Sequence, residues 1–134
     1  MATKASTRPL SPHLMHVRWP INMMVSIIHR ATGSGMATVG TALLVWWLAA
    51  LAAGKESYDY FMSWFTGGWA PLGYLLAVGL TASLFQHMAT GIRHFFLDVG
   101  ANYELKGNRM GAWLTIAGSL TATILYWAYV TMGK

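Results

Sequence analysis

The sequence predicts an all-α membrane protein built on three transmembrane helices. Three observations lead there. First, 55% of the 134 residues are hydrophobic and only 10% are charged, against roughly 25% charged in average soluble domains. Second, three stretches contain no Asp, Glu, Lys or Arg: Ala31–Gly54, Tyr60–Ile92 and Met110–Gly133. Each is longer than the roughly 20 apolar residues that carry a helix across a hydrocarbon core of about 30 Å. Third, no strand-like alternation competes with these runs. Together they exclude a soluble enzyme, a nucleic-acid-binding domain and a disordered tail. The absence of cysteine removes disulfides, thiolate metal sites and Cys-held iron–sulfur clusters.

The elements follow in chain order. Residues 1–20 form a polar N-terminal arm, punctuated by Pro9, Pro12 and Pro20 and carrying Arg8, His13, His16 and Arg18. Those prolines and arginines occupy the place of an apolar signal-peptide core, so no cleavable signal is expected. The acid-free start Met1–Arg8 is a poor transit peptide for the same reason: prolines break an amphipathic helix. Residues 21–134 form the three-helix transmembrane domain. Pro20 suits a helix start, where its missing N–H leaves no bond unmade, so the first helix spans about 21–53. Gly54-Lys55-Glu56 ends it, and Tyr58–Gly68 reads as a short aromatic connection. Gly67-Gly68 and Pro71 mark the next start, giving a second helix over about 71–97. Asp98–Arg109 reads as a polar loop with Gly100, Asn102, Gly107 and Asn108 as breakers, and the third helix covers about 110–131. No internal repeat is apparent.

The net charge of +5 and pI of about 9.8 are read as topology. Lys4, Arg8, Arg18, Arg30, Arg93, Lys106 and Arg109 fall on one side of the three spans, Lys55 and Lys134 on the other. Basic residues stay on the cytoplasmic side. The N-terminus and the second loop are therefore expected in the cytoplasm and the C-terminus in the periplasm.

Histidine and arginine inside membrane helices are costly, and each is a candidate functional residue. Ser26, His29 and Arg30 stand at i, i+3 and i+4, so a hydroxyl, an imidazole and a fixed cation share one helix face near the boundary. The alternative is an interfacial cap, with Arg30 snorkelling to lipid phosphates. His87 and His94 are seven apart on one face of the second helix, and His94 and Asp98 are placed for an i,i+4 contact. His87 lies eleven residues inside its helix end, about 16 Å deep at 1.5 Å per residue. It is either an interhelical hydrogen-bonder or a ligand to haem iron, for which neutral imidazole is common. In the second case His29, Arg30 and His94 lie on the side where propionates would point. Gly33, Ala37 and Thr41, and on the second helix Gly79 and Ser83, make small-residue surfaces that admit close helix approach or a flat macrocycle.

These groups carry a family resemblance. Arg8-Pro9-Leu10, then Ser26-Ile27-Ile28-His29-Arg30-Ala31-Thr32-Gly33, then His87 followed by Gly91-Ile92-Arg93-His94 and Asp98-Val99-Gly100 resemble the cytochrome b membrane-anchor subunits of succinate dehydrogenase. Order, spacing and helix placement agree over roughly residues 8–132. The one departure is Leu97, where the family more often has an aromatic residue or Met. The resemblance implies half of a heterodimeric haem-binding helix bundle within a succinate:quinone oxidoreductase. Its implied partners are a flavoprotein subunit, an iron–sulfur subunit and a second anchor; it also implies a ubiquinone site and one haem b shared with that second anchor. By position, His87 corresponds to the axial haem ligand, Ser26, Ile27 and Arg30 to the quinone pocket, and His29, Arg30 and His94 to the haem surroundings.

No flavin or dinucleotide motif is present, so no catalytic residue for succinate oxidation is expected in this chain. A bacterial inner membrane is the expected location, with the mitochondrial inner membrane as the alternative. Two other functions compete: the anchor of a fumarate reductase, and a small transporter subunit that would hold no haem. The second haem ligand is expected from the partner anchor. On helix depth, His29 near the boundary and His87 about 16 Å inside are not expected to meet at one iron.

Overall fold

A computed structural model describes residues 18–133; the arm residues His13 and His16 and the Arg8-Pro9-Leu10 motif lie outside them. The described residues are helical throughout, with no strand. Helix α1 (Ile21–Gly35) runs through one π-helical turn (Met36–Gly40) into α2 (Thr41–Ala53), making a single 33-residue span, Ile21–Ala53. Helix α3 (Lys55–Thr66) follows, then the two long spans α4 (Ala70–Asp98) and α5 (Leu105–Met132). Pro20 sits at the N-cap of α1 and Pro71 in the first turn of α4. Three helices are long and apolar enough to cross a membrane.

Two elements differ from the sequence expectation. Tyr58–Gly68 is not a connection, because α3 fills it. Gly54, at φ 99°, makes the turn that an L side chain resists, and the chain re-enters a helix at once. Lys55 Nζ pairs with Asp59 Oδ2 at 2.5 Å across one turn. Phe61, Trp64 and Phe65 recur at i, i+3 and i+4, the spacing of one helix face. Trp46 of α2 meets Phe61 and Trp64 edge-on at 4.9 and 5.8 Å. α3 also comes close to α4 at Gly73, where a Cβ would collide with the Trp64 carbonyl oxygen. The helix is apolar toward the bundle and polar outward, as suits a membrane interface.

The second difference is α5, which begins at Leu105 and not near 110. Hydropathy marks the stretch that lipid must surround, whereas a helix can continue past it into a polar layer. The intervening loop is only Val99–Glu104, turned by Gly100 (φ 81°) and Asn102 (φ 59°).

Helix α4 is central, packing on α5 most extensively and on α1 next. The interior is small and polar. Buried apolar residues are Val25, Ala50, Phe61 and Ala112, whereas Gln86, Thr90, Arg93, Thr115, Ser119 and Thr123 are buried polar ones. Ser119 Oγ donates to Gln86 Oε1 at 2.5 Å across α4 and α5. Leu, Val, Phe and Trp side chains cover the outside, as expected where lipid, not water, is the solvent.

Candidate haem and quinone site

The site is built where α1 and α4 cross antiparallel. His29 of α1 faces the Gly91 position of α4, with a Cβ there 4.0 Å from His29 Cε1. His87 of α4 faces Gly33 of α1 far more closely, since a Cβ on Gly33 would lie 2.7 Å from His87 Cε1. Each helix thus offers a histidine to the other's glycine, four residues further on. The same five-residue pattern stands on both: His29-Arg30-Ala31-Thr32-Gly33 and His87-Met88-Ala89-Thr90-Gly91. The expectation of no internal repeat overlooked this one, which is far shorter than a structural repeat. Glycine lets the two backbones approach, and the imidazoles fill the space.

The result is a row of three imidazoles. The His29 and His87 rings stack with centroids 3.9 Å apart and planes 8° from parallel. His94 meets His29 on another side, edge-on, at 5.2 Å. The expected depth difference between His29 and His87 is therefore wrong. His29 is eight residues inside its own helix start at Ile21, about 12 Å, and the antiparallel helix brings His87 to the same level. The expected His94–Asp98 contact is also absent: Lys55–Asp59 is the only ion pair among the described residues.

Hydrogen bonding fixes the state of His87. Its Nδ1 lies 3.0 Å from the His29 carbonyl oxygen and 3.3 Å from Thr32 Oγ1. A carbonyl only accepts, so Nδ1 carries the proton and donates. The Thr32 hydroxyl is itself committed as a donor to the Ile28 and His29 carbonyls, at 2.8 and 3.0 Å. Nε2 of His87 then keeps its lone pair. This is how metal-ligating histidines are commonly held, with the far ring nitrogen donating to a carbonyl. His87 is only half-buried, so a group can reach it from outside the chain. The pattern is not repeated by its counterpart: His29 Nδ1 is buried and has no hydrogen-bond partner. An orphaned buried nitrogen costs free energy until something pairs with it. A free imidazole nitrogen on His87 and an orphaned ring nitrogen on His29 fit a haem at this face. Among the described residues no group of three His, Cys, Asp or Glu side chains gathers to hold a bare metal ion.

The quinone candidates lie on the same helix but apart from the histidine row. Ser26 and Ile27 are half-buried and Arg30 is exposed. Ser26 and Arg30 share a face one turn apart and form no hydrogen bond or ion pair with another described residue. Thr32, absent from the expected set, also touches His87 from α1. Its signal was its place in the repeated pattern.

The chain matches the family model described as the succinate dehydrogenase/fumarate reductase transmembrane subunit over residues 4–126. It belongs to that family. Among curated relatives, the succinate dehydrogenase cytochrome b556 subunit of Paracoccus denitrificans is 33% identical over 118 residues, 88% of each chain. The cytochrome b556 subunit of Rickettsia prowazekii is 32% identical over 120 residues, 90% of each. The mitochondrial cytochrome b560 subunit of Mus musculus is 39% identical over 97 residues, 72% of this chain and 56% of the mouse protein. Family membership makes the chain a multi-pass membrane component of an oxidoreductase complex that works with other succinate dehydrogenase subunits.

Proposed function

We propose that this chain is the haem b- and quinone-binding anchor of a succinate:quinone oxidoreductase. The observation that supports it most is the hydrogen bond from His87 Nδ1 to the His29 carbonyl, which leaves the other ring nitrogen available to iron. Bound here, haem b supplies a one-electron redox centre inside the membrane. His87 Nε2 would hold the iron, and the carbonyl bond orients that ring and raises its basicity. A second ligand would come from the second anchor. Two imidazoles lying face to face, as His29 and His87 do, cannot both aim ring-edge lone pairs at one iron. His29 Nδ1 and His94 are offered to the propionate side, with Arg30 as the neighbouring cation.

Ubiquinone is apolar with two carbonyl oxygens that gain negative charge and protons on reduction. The Ser26 hydroxyl donates a hydrogen bond to one such oxygen, and the Arg30 guanidinium stabilises the charge that develops there. Ile27 supplies an apolar wall. Neither polar group has a hydrogen-bond or ion-pair partner among the described residues, as a site completed by neighbouring subunits requires. Electrons reach it from an iron–sulfur subunit, itself supplied by a flavoprotein that oxidises succinate. The seven-to-two distribution of basic residues supports a cytoplasmic N-terminus and a periplasmic C-terminus in a bacterial inner membrane.

A dithionite-reduced visible spectrum of the purified complex, with succinate:quinone reductase activity measured on the same sample, tests the reading. A reduced low-spin b-type spectrum with quinone turnover is expected. A complex without haem contradicts it. The family description also covers fumarate reductases, and redox titration of the haem separates the two directions.

A further inference from the structure

Arg93 was expected to be one more cytoplasmic cation, yet only 9% of it is exposed. It points away from the histidine row, into the α4–α5 contact, where its Nη2 donates to Asn108 Oδ1. Its Nε is buried and without a hydrogen-bond partner. The guanidinium lies against Gly111, where a Cβ would come within 3.7 Å of Nε. A cavity of about 340 Å³ opens beside it, lined by Arg93 and Asn108 together with Ala89, Ile92, Phe96 and Leu114.

Among the described residues no group neutralises that cation. Of the four acidic residues, Glu56 and Asp59 belong to α3, across the membrane span from Arg93. Asp98 and Glu104 are exposed and form no ion pair. A buried guanidinium requires an anion, and the cavity's composition indicates its kind. Arg93 lies five residues before the end of α4 at Asp98, about 7.5 Å along the axis. With 29 residues, α4 is about 43 Å long, near the full thickness of a bilayer with its headgroups. Arg93 therefore sits at the base of the headgroup layer. Apolar walls extend from it, and the exposed Lys106 and Arg109 stand on the following helix.

We propose that Arg93 and the α4–α5 cavity bind an anionic phospholipid. Its phosphate is held by the guanidinium and the Asn108 amide, and an acyl chain lies along Ala89, Ile92 and Leu114, on the membrane side of Arg93. Planar guanidinium and phosphate form a two-point, charge-assisted contact, whereas Lys106 and Arg109 only raise the local concentration of anionic lipid.

The test uses the intact complex in phosphatidylcholine vesicles doped with a photoactivatable phosphatidylglycerol, with labelled peptides mapped by mass spectrometry. Labelling is expected on segments 89–97 and 107–115, competed by unlabelled phosphatidylglycerol but not by phosphatidylcholine or inorganic phosphate. Competition by inorganic phosphate alone would indicate a bare anion site and overturn the lipid assignment. Arg93→Gln should lower labelling about tenfold, the usual weight of one charge-assisted hydrogen bond, and Lys106→Gln far less. If Arg93→Gln does not assemble, Arg93→Lys, which keeps charge without the planar fork, should retain part of the labelling. Absence of labelling in the wild-type complex, or equal labelling in Arg93→Gln, overturns the proposal. The first result would leave the anion to a carboxylate of a neighbouring subunit.

Discussion

The imidazoles of His29 and His87 lie face to face, 3.9 Å apart and 8° from parallel, while the His87 ring N–H donates to the His29 backbone carbonyl. One histidine thus serves the other twice, with its ring as a packing surface and with its main chain as the acceptor that sets the tautomer. The arrangement depends on Gly33, because any Cβ there would occupy the space of the His87 ring. It leaves His29 Nδ1 buried without a hydrogen-bond partner among the described residues.

Gly33→Ala is therefore expected to displace His87 without removing it. Overpacking of this kind costs about 1–3 kcal/mol, and the His29 carbonyl bond would stretch or break. The expected outcome is an assembled complex whose haem potential and α-band differ from wild type. Gly79→Ala, where a Cβ meets nothing within 4 Å, should change neither, and equal effects of the two substitutions would remove the steric argument.

Ser26→Ala should leave haem content unchanged while slowing succinate-to-quinone transfer. Losing one donor to a developing negative charge costs on the order of 3 kcal/mol, about a hundredfold in rate. Steady-state quinone reductase assays on the assembled variant check it, and unaltered turnover would take Ser26 out of the site.

How far the sequence carried the account varied with the kind of residue. The three spans were legible because each is a long run without charge. The helix α3 was not, although Gly54 and Gly67 bracket it and Phe61, Trp64 and Phe65 repeat at helical spacing. Its aromatic content suggested an interfacial connection before a helix. His29, His87 and His94 were legible as polar residues in apolar surroundings. Their meeting was not, because depth was counted from one helix end at a time and the antiparallel register was unknown. The burial of Arg93 was not legible: a cation within two turns of a helix end looks the same in sequence whether it snorkels outward or turns into the bundle.

Arg30→Lys keeps the charge but loses the planar fork that grips a carboxylate at two points. A shifted haem potential together with weaker quinone activity is expected, measured by redox titration and steady-state kinetics. Wild-type values for both would reduce Arg30, which is exposed here, to an interfacial cation.

Expressed without its partners, the chain should hold little or no stable low-spin haem, because His29, stacked on His87, could not join it in holding one iron. Haem titration of the purified, folded chain measures this, and a stoichiometric six-coordinate spectrum from the chain alone would contradict the shared-ligand arrangement.

The central claim is that His87 ligates the haem while His29 and His94 only surround it. Its most direct test is the low-temperature visible and electron paramagnetic resonance spectrum of the purified complex carrying His87→Ala, beside His29→Ala and His94→Ala. The account predicts that the bis-histidine low-spin signature disappears in His87→Ala and persists, shifted, in the other two. An unchanged low-spin signature in His87→Ala, or its loss only in His29→Ala, would contradict it.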